Sequence, residues 1–478
     1  MAALERSEFR LHAIADERSA AFFALGLRQG GHRPALISTS GSAPCHWHPA
    51  LAEAAASQLD LMLITADRPS DLRRRGAPQS TDQRDLFAPQ VSTFFEYEPK
   101  KGHSPLEQLT EILASLPMGE SVHINVPLAK PLPLMDAPPV QVTLPDHSEA
   151  LQPPLPTTPV LEGAGIVVAG TRAHRENCSD ALAILLQSTG SSLLAESASG
   201  LRHDPGLRAF QELAPPETAP RWVLRLGHWP TPAAWRDALI RWTDAGIPVI
   251  GLGPEAQRNP LTSDALALPG AISPHLLAMC PPAKELRTYL GPTRTLHVSD
   301  TGEDQLLRGL AASLEADDVL VLGNSLSVRR FDDAVRPGHG PEAVYCNRGV
   351  CGIDGQLAFA VGLATATGRK TTCLLGDVSL FHDLNSLQLA RHSLIPVRVI
   401  VLNNDGGRIF DSLPAASAMT VDHHRRFFQT PQNLDILGAA ALFQLPAISV
   451  RPGDSAQLTR WLKDQEGSCL VELDLRSP

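Results

Sequence analysis

Asp377 follows the apolar run at residues 371–375, and the string Asn403-Asn404-Asp405-Gly406-Gly407 follows the next apolar run, at residues 397–402. Neighbouring parallel strands end at the same sheet edge, so residues just beyond them meet where open α/β sheets hold their ligands. Asp377 offers a carboxylate oxygen, Asn404 an amide oxygen and Gly406 a backbone carbonyl. This hard oxygen set suits Mg²⁺, or Mn²⁺, when phosphates and water complete the octahedron. The spacing therefore predicts a metal-held diphosphate. A strand end capped by Asp, followed by an unrelated Asn-Gly turn, is the plainer alternative.

Other residues carry chemistry at similar positions. Thr39-Ser40-Gly41-Ser42-Ala43 lies between a strand at residues 35–38 and a helix, so its small side chains and free N–H groups can approach a ligand closely. A strand at residues 61–65 leads into Asp67-Arg68-Pro69, where an arginine at a sheet edge suits a carboxylate and a surface contact between Asp67 and Arg68 is the equal alternative. Gly323-Asn324-Ser325 follows a further strand, and Ser325 and Arg329 share a face if the segment turns helical. Arg348 stands in a glycine-rich loop, with Ile353 as an apolar group able to support a bent ligand. Cys346 and Cys351 lack partners at zinc-ligand spacing, and Cys45-His46-Trp47-His48 reads first as a helix entry. The basic aromatic run His423–Phe428 reads as a lid or packed loop at the ligand side.

These sites need elements to position them, and 478 residues allow two or three domains. Residues 1–131 alternate apolar strands with helical patterns, among them Ser19–Arg28 and Pro49–Ser57. Prolines recur through residues 132–160 and mark a linker. Residues 161–292 form a smaller α/β unit, and residues 293–478 hold strands at 319–322, 371–375, 397–402 and 469–475. The fold class is α/β, with parallel sheets flanked by helices. Gly163, Gly165 and Gly170 do not make a dinucleotide fingerprint, because the apolar strand lies within the glycine series and not ahead of it. A formal charge of −10 argues against nucleic acid or an anionic membrane as the main partner. Seven scattered cysteines point to reduced thiols and a cytoplasmic protein, and neither a signal peptide nor a membrane-spanning run is visible.

Asp-Glu-Arg-Ser-Ala-x-Phe-Phe-Ala-Leu-Gly-Leu from Asp16, Thr-Ala-Asp-Arg-Pro from Thr65, Gly-Asn-Ser-Leu-x-x-Arg from Gly323, Asn-Arg-Gly-x-x-Gly-Ile-Asp-Gly from Asn347 and Asn-Asn-Asp-Gly-Gly-Arg-Ile-Phe from Asn403 carry a resemblance. Together they resemble the thiamin-diphosphate-dependent enzymes, and among these the 2-succinyl-5-enolpyruvyl-6-hydroxy-3-cyclohexene-1-carboxylate synthases of menaquinone biosynthesis. Val378, where the general fingerprint has glycine, fits that subgroup. The resemblance implies a pyrimidine-binding domain, a central domain and a diphosphate-binding domain, in a homodimer or dimer of dimers with sites between subunits. It implies decarboxylation of 2-oxoglutarate and conjugate addition of the resulting carbanion to isochorismate. Glu17, whose bland reading is a helix N-terminal charge, becomes the acid that activates the cofactor. Ser40, Gly41, Ile353, Asp377, Ser379 and Asn404 contact the cofactor, and Asp377, Asn404 and Gly406 hold the metal. Ser325, Arg329 and Arg348 grip the donor's distal carboxylate, Gln79 meets the reaction intermediate and Arg68 faces the acceptor.

Two departures fall on the acceptor side. The family begins with a further strand and a Ser-Pro-Gly-Ser-Arg loop ahead of the Asp-Glu-Arg helix, and the N-terminal domain here is expected to lack that strand. The central-domain lysine that follows Pro-Thr in the family is absent from Pro230-Thr231-Pro232-Ala233-Ala234-Trp235. Coupling to isochorismate is therefore expected to be weak. A different thiamin-dependent decarboxylase or carboligase, and a non-catalytic paralogue that keeps the fold, remain as alternatives.

Overall fold

The computed structural model describes residues 9–73, 75–97, 108, 111–112, 119–129, 158–172, 176–256, 266–281 and 300–476. The expected linker lies almost wholly outside these residues, as does the expected boundary near residue 292. The described strands form three sheets, and every pairing in them is parallel.

The first sheet contains β1 (Ala35–Ser38), β2 (Met62–Asp67), β3 (Thr93–Glu96) and β4 (Val122–Pro127) in the order β1-β2-β4-β3. Helices α1 (Glu17–Gln29) and α2 (His48–Ala56) accompany it. The second sheet has β5 (Ile166–Ala169), β6 (Ser192–Ala195), β7 (Val223–Leu226), β8 (Val249–Leu252) and β9 (Leu266–Leu268) in the order β6-β5-β7-β8-β9. It packs with α3 (Ser179–Thr189), α4 (Ala233–Asp244) and α5 (Ile272–Met279). The third contains β10 (Val319–Leu322), β11 (Ala343–Tyr345), β12 (Thr371–Gly376), β13 (Val397–Asn403), β14 (Ala447–Val450) and β15 (Cys469–Asp474) in the order β11-β10-β12-β13-β15-β14. Its helices are α6 (Gly302–Ala312), α7 (Leu326–Ala334), α8 (Gln356–Thr367), α9 (Asp377–His382), α10 (Leu387–His392), α11 (Ile436–Leu442) and α12 (Ser455–Asp464).

The central strands β12 and β13 are buried on both faces, which is why they read as largely apolar runs, broken by Thr371, Thr372 and Arg398, and not as alternation. The expected strands recur within one or two residues of their predicted bounds. Strands β3, β6, β9, β11 and β14 lack such runs and were not anticipated. The glycines that flank β5 serve packing: a Cβ on Gly165 would meet the Trp222 ring at 2.2 Å, and one on Gly170 would meet the His228 carbonyl at 2.1 Å.

The first and third sheets are joined by one crossing. Asp16 caps α1, accepting from the N–H groups of Arg18 at 2.9 Å and Ser19 at 3.2 Å. The helix then buries Ala21, Phe22, Phe23, Ala24 and Leu25 and crosses α8, itself almost entirely apolar and buried. Backbone meets backbone where they cross. A Cβ on Gly26 would lie 2.2 Å from the Phe359 carbonyl oxygen, and one on Gly362 would lie 2.0 Å from that of Phe23. Residues of both sheets consequently share one apolar core.

Gly362→Ala is expected to force the two helices apart and lower stability by about 1 to 3 kcal/mol or more, the scale of overpacking. Gly467→Ala is the control, since nothing lies near its added methyl. Urea midpoints compared at equal m-values check this, and equal midpoints for the two variants would contradict the crossing.

Candidate active site

The C-terminal ends of β10, β12 and β13 lie side by side and carry the expected chemistry. Asp377 is the first residue of α9, immediately after β12, and is buried. Its Oδ2 accepts the Gly406 N–H at 2.8 Å, which ties the end of β12 to the turn beyond β13. Burial pushes the Asp377 carboxyl up to about 6, against the pull of the Gly406, Val378 and Asp377 N–H groups, and the Asp405 charge adds to the rise. No cationic side chain among the described residues pairs with it. Asn404 is half-buried, and its side-chain amide has no hydrogen-bond partner among the described residues. Gly406 holds φ at +121°, and an added Cβ would lie 2.1 Å from the Gln429 carbonyl oxygen, so only glycine fits this turn. Its own carbonyl accepts the Arg408 N–H at 2.9 Å and keeps a second lone pair. A buried carboxylate without a counter-charge, beside an unengaged amide and a backbone carbonyl, has the donor chemistry of a hard divalent cation. Ser379 is buried in the same helical turn as Asp377. The expected packed loop is also present, since the Gln429 carbonyl accepts the Gly407 N–H at 2.6 Å and His424 stacks on Phe428.

Ser325, Arg329 and Arg348 come together beside this edge. Ser325 precedes α7 with φ +65° and ψ −124°, a strained position for a residue with a Cβ. Its carbonyl accepts from Arg329 Nη1 at 2.5 Å. Arg348 Nη1 donates to Asn324 Oδ1 at 2.9 Å, and Asn324 Nδ2 donates to the Asn347 and Gly352 carbonyls, each at 2.7 Å. Burial lowers the Arg329 pKa, and the Arg348 and Arg236 charges lower it further. Among the described residues none of these three guanidinium groups is in an ion pair. Three neighbouring cations without a paired carboxylate make an anion site.

Arg236 was not anticipated. Residues 230–235 hold no cation, as expected, but α4 carries Arg236 to the next turn, where its Nη1 donates to the Thr231 carbonyl at 2.6 Å. Only tertiary packing brings it near Arg329. Glu53 on α2 was also missed. It is buried, and its carboxylate accepts the N–H groups of Gly349 at 2.7 Å and Val350 at 2.8 Å, so the first unit clamps the loop that bears Arg348 and the half-buried Ile353. A glutamate within an alanine-rich helix gives no local signal of this task. Cys346 and Cys351 bond separately, to Asn324 Oδ1 and to the Arg348 carbonyl.

Glu17 lines a pocket of about 320 Å³ with Thr39, Ser40, Gly41, Ser42, Ala43, His46 and Gln79. Ser40 Oγ donates to the Gln79 carbonyl at 2.7 Å, and Arg68 donates to the Pro78 carbonyl through Nε at 3.1 Å and Nη2 at 3.0 Å. Arg68 Nη2 also lies 3.4 Å from Gln79 Oε1. The surface pair between Asp67 and the Arg68 guanidinium does not form: Asp67 is buried, accepts the Arg68 backbone N–H at 2.7 Å and pairs with Arg73 at 3.1 Å. The lining of the Glu17 pocket includes none of Asp377, Asn404 and Gly406.

Residues 1–86 match the family model described as thiamine pyrophosphate enzyme, N-terminal TPP binding domain, and residues 335–473 match that of the C-terminal TPP binding domain. A 2-succinyl-5-enolpyruvyl-6-hydroxy-3-cyclohexene-1-carboxylate synthase of Halorhodospira halophila is 35% identical over 94% of this chain and 84% of its own length. Synthases of the same name from Myxococcus xanthus (31% identical, 91% of this chain, 82% of the relative) and Sorangium cellulosum (32%, 99% and 87%) are similar over comparable spans. The chain belongs to this synthase family. It is thus a thiamin-diphosphate-dependent enzyme, and its mixed α/β fold of parallel sheets is that family's architecture.

Asp377→Ala is expected to abolish Mg²⁺-dependent binding of thiamin diphosphate, because it removes the one buried carboxylate of the donor set. Calorimetry with and without Mg²⁺ checks this. Unchanged affinity in the variant would remove Asp377 from the metal's ligands.

Proposed function

We propose that this protein decarboxylates 2-oxoglutarate and joins the remaining four-carbon unit to isochorismate, yielding 2-succinyl-5-enolpyruvyl-6-hydroxy-3-cyclohexene-1-carboxylate. The observation that carries this reading is the unpaired arginine cluster at the sheet edge that bears Asp377 and Asn404. Both substrates are anionic, and a dicarboxylate donor needs a fixed cationic site at its distal end.

In this reading residues 1–131 bind the cofactor's pyrimidine, residues 132–160 link to the central domain at 161–292, and residues 293–478 bind the diphosphate. Asp377, Asn404 and the Gly406 carbonyl hold Mg²⁺ against the diphosphate, with Ser379 alongside. Bound thiamin diphosphate supplies a nucleophilic carbon and an electron sink for decarboxylation. The chain's own residues do the rest. Glu17 holds the proton that sets the aminopyrimidine's tautomer, while Ser40 and Gly41 allow close approach and Ile353 supports the bent cofactor. Ser325, Arg329 and Arg348 orient the donor through its distal carboxylate, Gln79 lies against the reacting centre, and Arg68 with Arg236 supplies cations for the acceptor. Because the Glu17 pocket and the Asp377 edge have separate linings, the two ends of one cofactor are held by two copies of the chain, in a homodimer or larger assembly. Free thiols at all seven cysteines accord with a cytoplasmic location, and among the described residues no helix is long and apolar enough to cross a membrane.

Incubation with 2-oxoglutarate, thiamin diphosphate and Mg²⁺, with and without isochorismate, tests the reading by CO₂ release and product mass. Release with neither substrate combination would sink it. Glu17→Gln is expected to keep cofactor binding and slow exchange of the cofactor's C2 proton by about 10²-fold or more, the scale of a positioned acid or base. Exchange at the wild-type rate would deny Glu17 its role. Glu53→Gln weakens the clamp on the Arg348 loop and is expected to raise KM for 2-oxoglutarate about tenfold, as loss of a charge-assisted contact does. An unchanged KM would show that the loop holds its place without Glu53.

A further inference from the structure

Glu196 follows β6 in the central unit, and the roles assigned so far leave it out. Its side chain is fully buried. Oε1 accepts the Thr231 N–H, and Oε2 has no hydrogen-bond partner among the described residues. A bare buried carboxylate oxygen is far costlier than the same oxygen in a neutral acid. Burial accordingly raises the Glu196 pKa to about 7; Asp332 pushes it the same way, and the Thr231 N–H, the Arg348 charge and the Thr231 hydroxyl pull it back.

Glu196 is fastened to the helix that carries the donor arginine. The next residue, Ser197, donates its N–H to Asp332 Oδ1 at 3.0 Å, and Asp332 lies one turn beyond Arg329 on α7. Arg202 ties the same elements together, donating to the Ala195 carbonyl at 3.0 Å, the Asp332 carbonyl at 2.8 Å and the Val335 carbonyl at 3.2 Å. The charged and titratable groups around Glu196 come from three sides. Arg329 and Asp332 face it from α7, and Arg348 with the Cys346 and Cys351 thiols from the glycine-rich loop. Its own unit contributes Arg202, His203 and, through Thr231, Arg236. His203 is held down to about 3 by burial and the Arg202 and His339 charges, so it stays neutral. Burial raises both thiols and the Asp332 carboxyl.

Resting on the assignment of Ser325, Arg329 and Arg348 to the donor's distal carboxylate, we propose that Glu196 is a positioning residue whose buried carboxyl couples donor binding to the uptake of a proton. As a neutral acid it fixes Thr231 and leaves the arginines open to an anion. Ionised, it is a competing carboxylate beside Arg348 and Arg329. A dicarboxylate seated on those arginines cancels the cationic field that favours the ionised form, so a proton passes from solvent to Glu196 as the ligand enters.

The test titrates the enzyme, loaded with thiamin diphosphate and Mg²⁺, with succinate, a dicarboxylate without the oxo group needed for decarboxylation. Calorimetry in buffers of different ionisation enthalpy reads the protons taken up between pH 6.5 and 8.5. The wild type is expected to take up roughly half a proton near pH 7.5 and to lose about sixfold in affinity across the range, as a one-unit pKa difference between free and bound states gives over that window. Glu196→Gln is expected to bind with neither uptake nor pH dependence. Asp332→Asn is expected to keep the uptake, shifted to lower pH. A wild type that binds succinate without uptake overturns the proposal, as does uptake that survives Glu196→Gln or vanishes only with Asp332→Asn. Decarboxylation of 2-oxoglutarate without any succinate binding overturns it too and leaves the functional reading standing, whereas absence of both defeats the two together.

Discussion

Much of this molecule depends on the place where α1 and α8 cross with no side chain between their backbones at Gly26 and Gly362. Helices usually pack 8 to 10 Å apart because side chains separate them; here glycine on each side lets them close until carbonyl oxygens occupy the space of a methyl. That contact merges the first and third sheets into one core. It also fixes the entry to both helices. Asp383, just after α9, accepts the Leu357 and Ala358 N–H groups at 2.7 and 3.1 Å and so caps α8, while Ser386 Oγ meets Ser19 Oγ at 2.9 Å. Glu17 is therefore carried on a helix whose start is pinned to the unit that holds Asp377.

Electrostatics obeys the same division. Buried carboxylates at structural positions are each given N–H donors: Glu53 takes Gly349 and Val350, Asp383 takes Leu357 and Ala358, and Asp67 takes Arg68 and Asn125. Charged groups without a partner of opposite charge stand at and beside the C-terminal edge of the third sheet. Asp377 takes the Gly406, Val378 and Asp377 N–H groups but no cation, and Arg329, Arg348 and Arg236 have no paired carboxylate among the described residues. Keeping opposite charges apart here has a real cost. In the proposed function that separation has a use, since a metal with its diphosphate would answer the acid and a dicarboxylate the arginines.

The same physics sets how far the chain is legible before it folds. The positions of Asp377 and Asn404 were legible because strands buried on both faces are mostly apolar, and the residues just past the end of such a run lie at the sheet edge. Ser325 and Arg329 were legible because a helix start brings them within reach of each other. Glu53, Arg236 and Glu196 were not, since each acts across a contact that local spacing does not encode. Local pattern is blind to that kind of information. The short strands β3, β9, β11 and β14 escaped for a related reason: three or four residues with mixed burial carry no periodic signal, and their place is set by their neighbours.

Arg236 shows how a site can keep its charge while its sequence signature moves. A cation expected directly after Thr231 is missing, yet the turn of α4 that begins there brings a guanidinium back to the same peptide, bonded to the Thr231 carbonyl. The other face of that residue, its N–H, is held by Glu196. One residue of the central unit, Thr231, thus stands between the Arg236 cation near Arg329 and the buried acid Glu196. Because α7 carries both Arg329 and Asp332, the bonds of Ser197 and Arg202 to Asp332 fix where Glu196 and Arg236 of the central unit stand relative to Arg329. The central unit, whose sequence resembles the family least, therefore meets α7 through charged groups and backbone hydrogen bonds that no local motif announces.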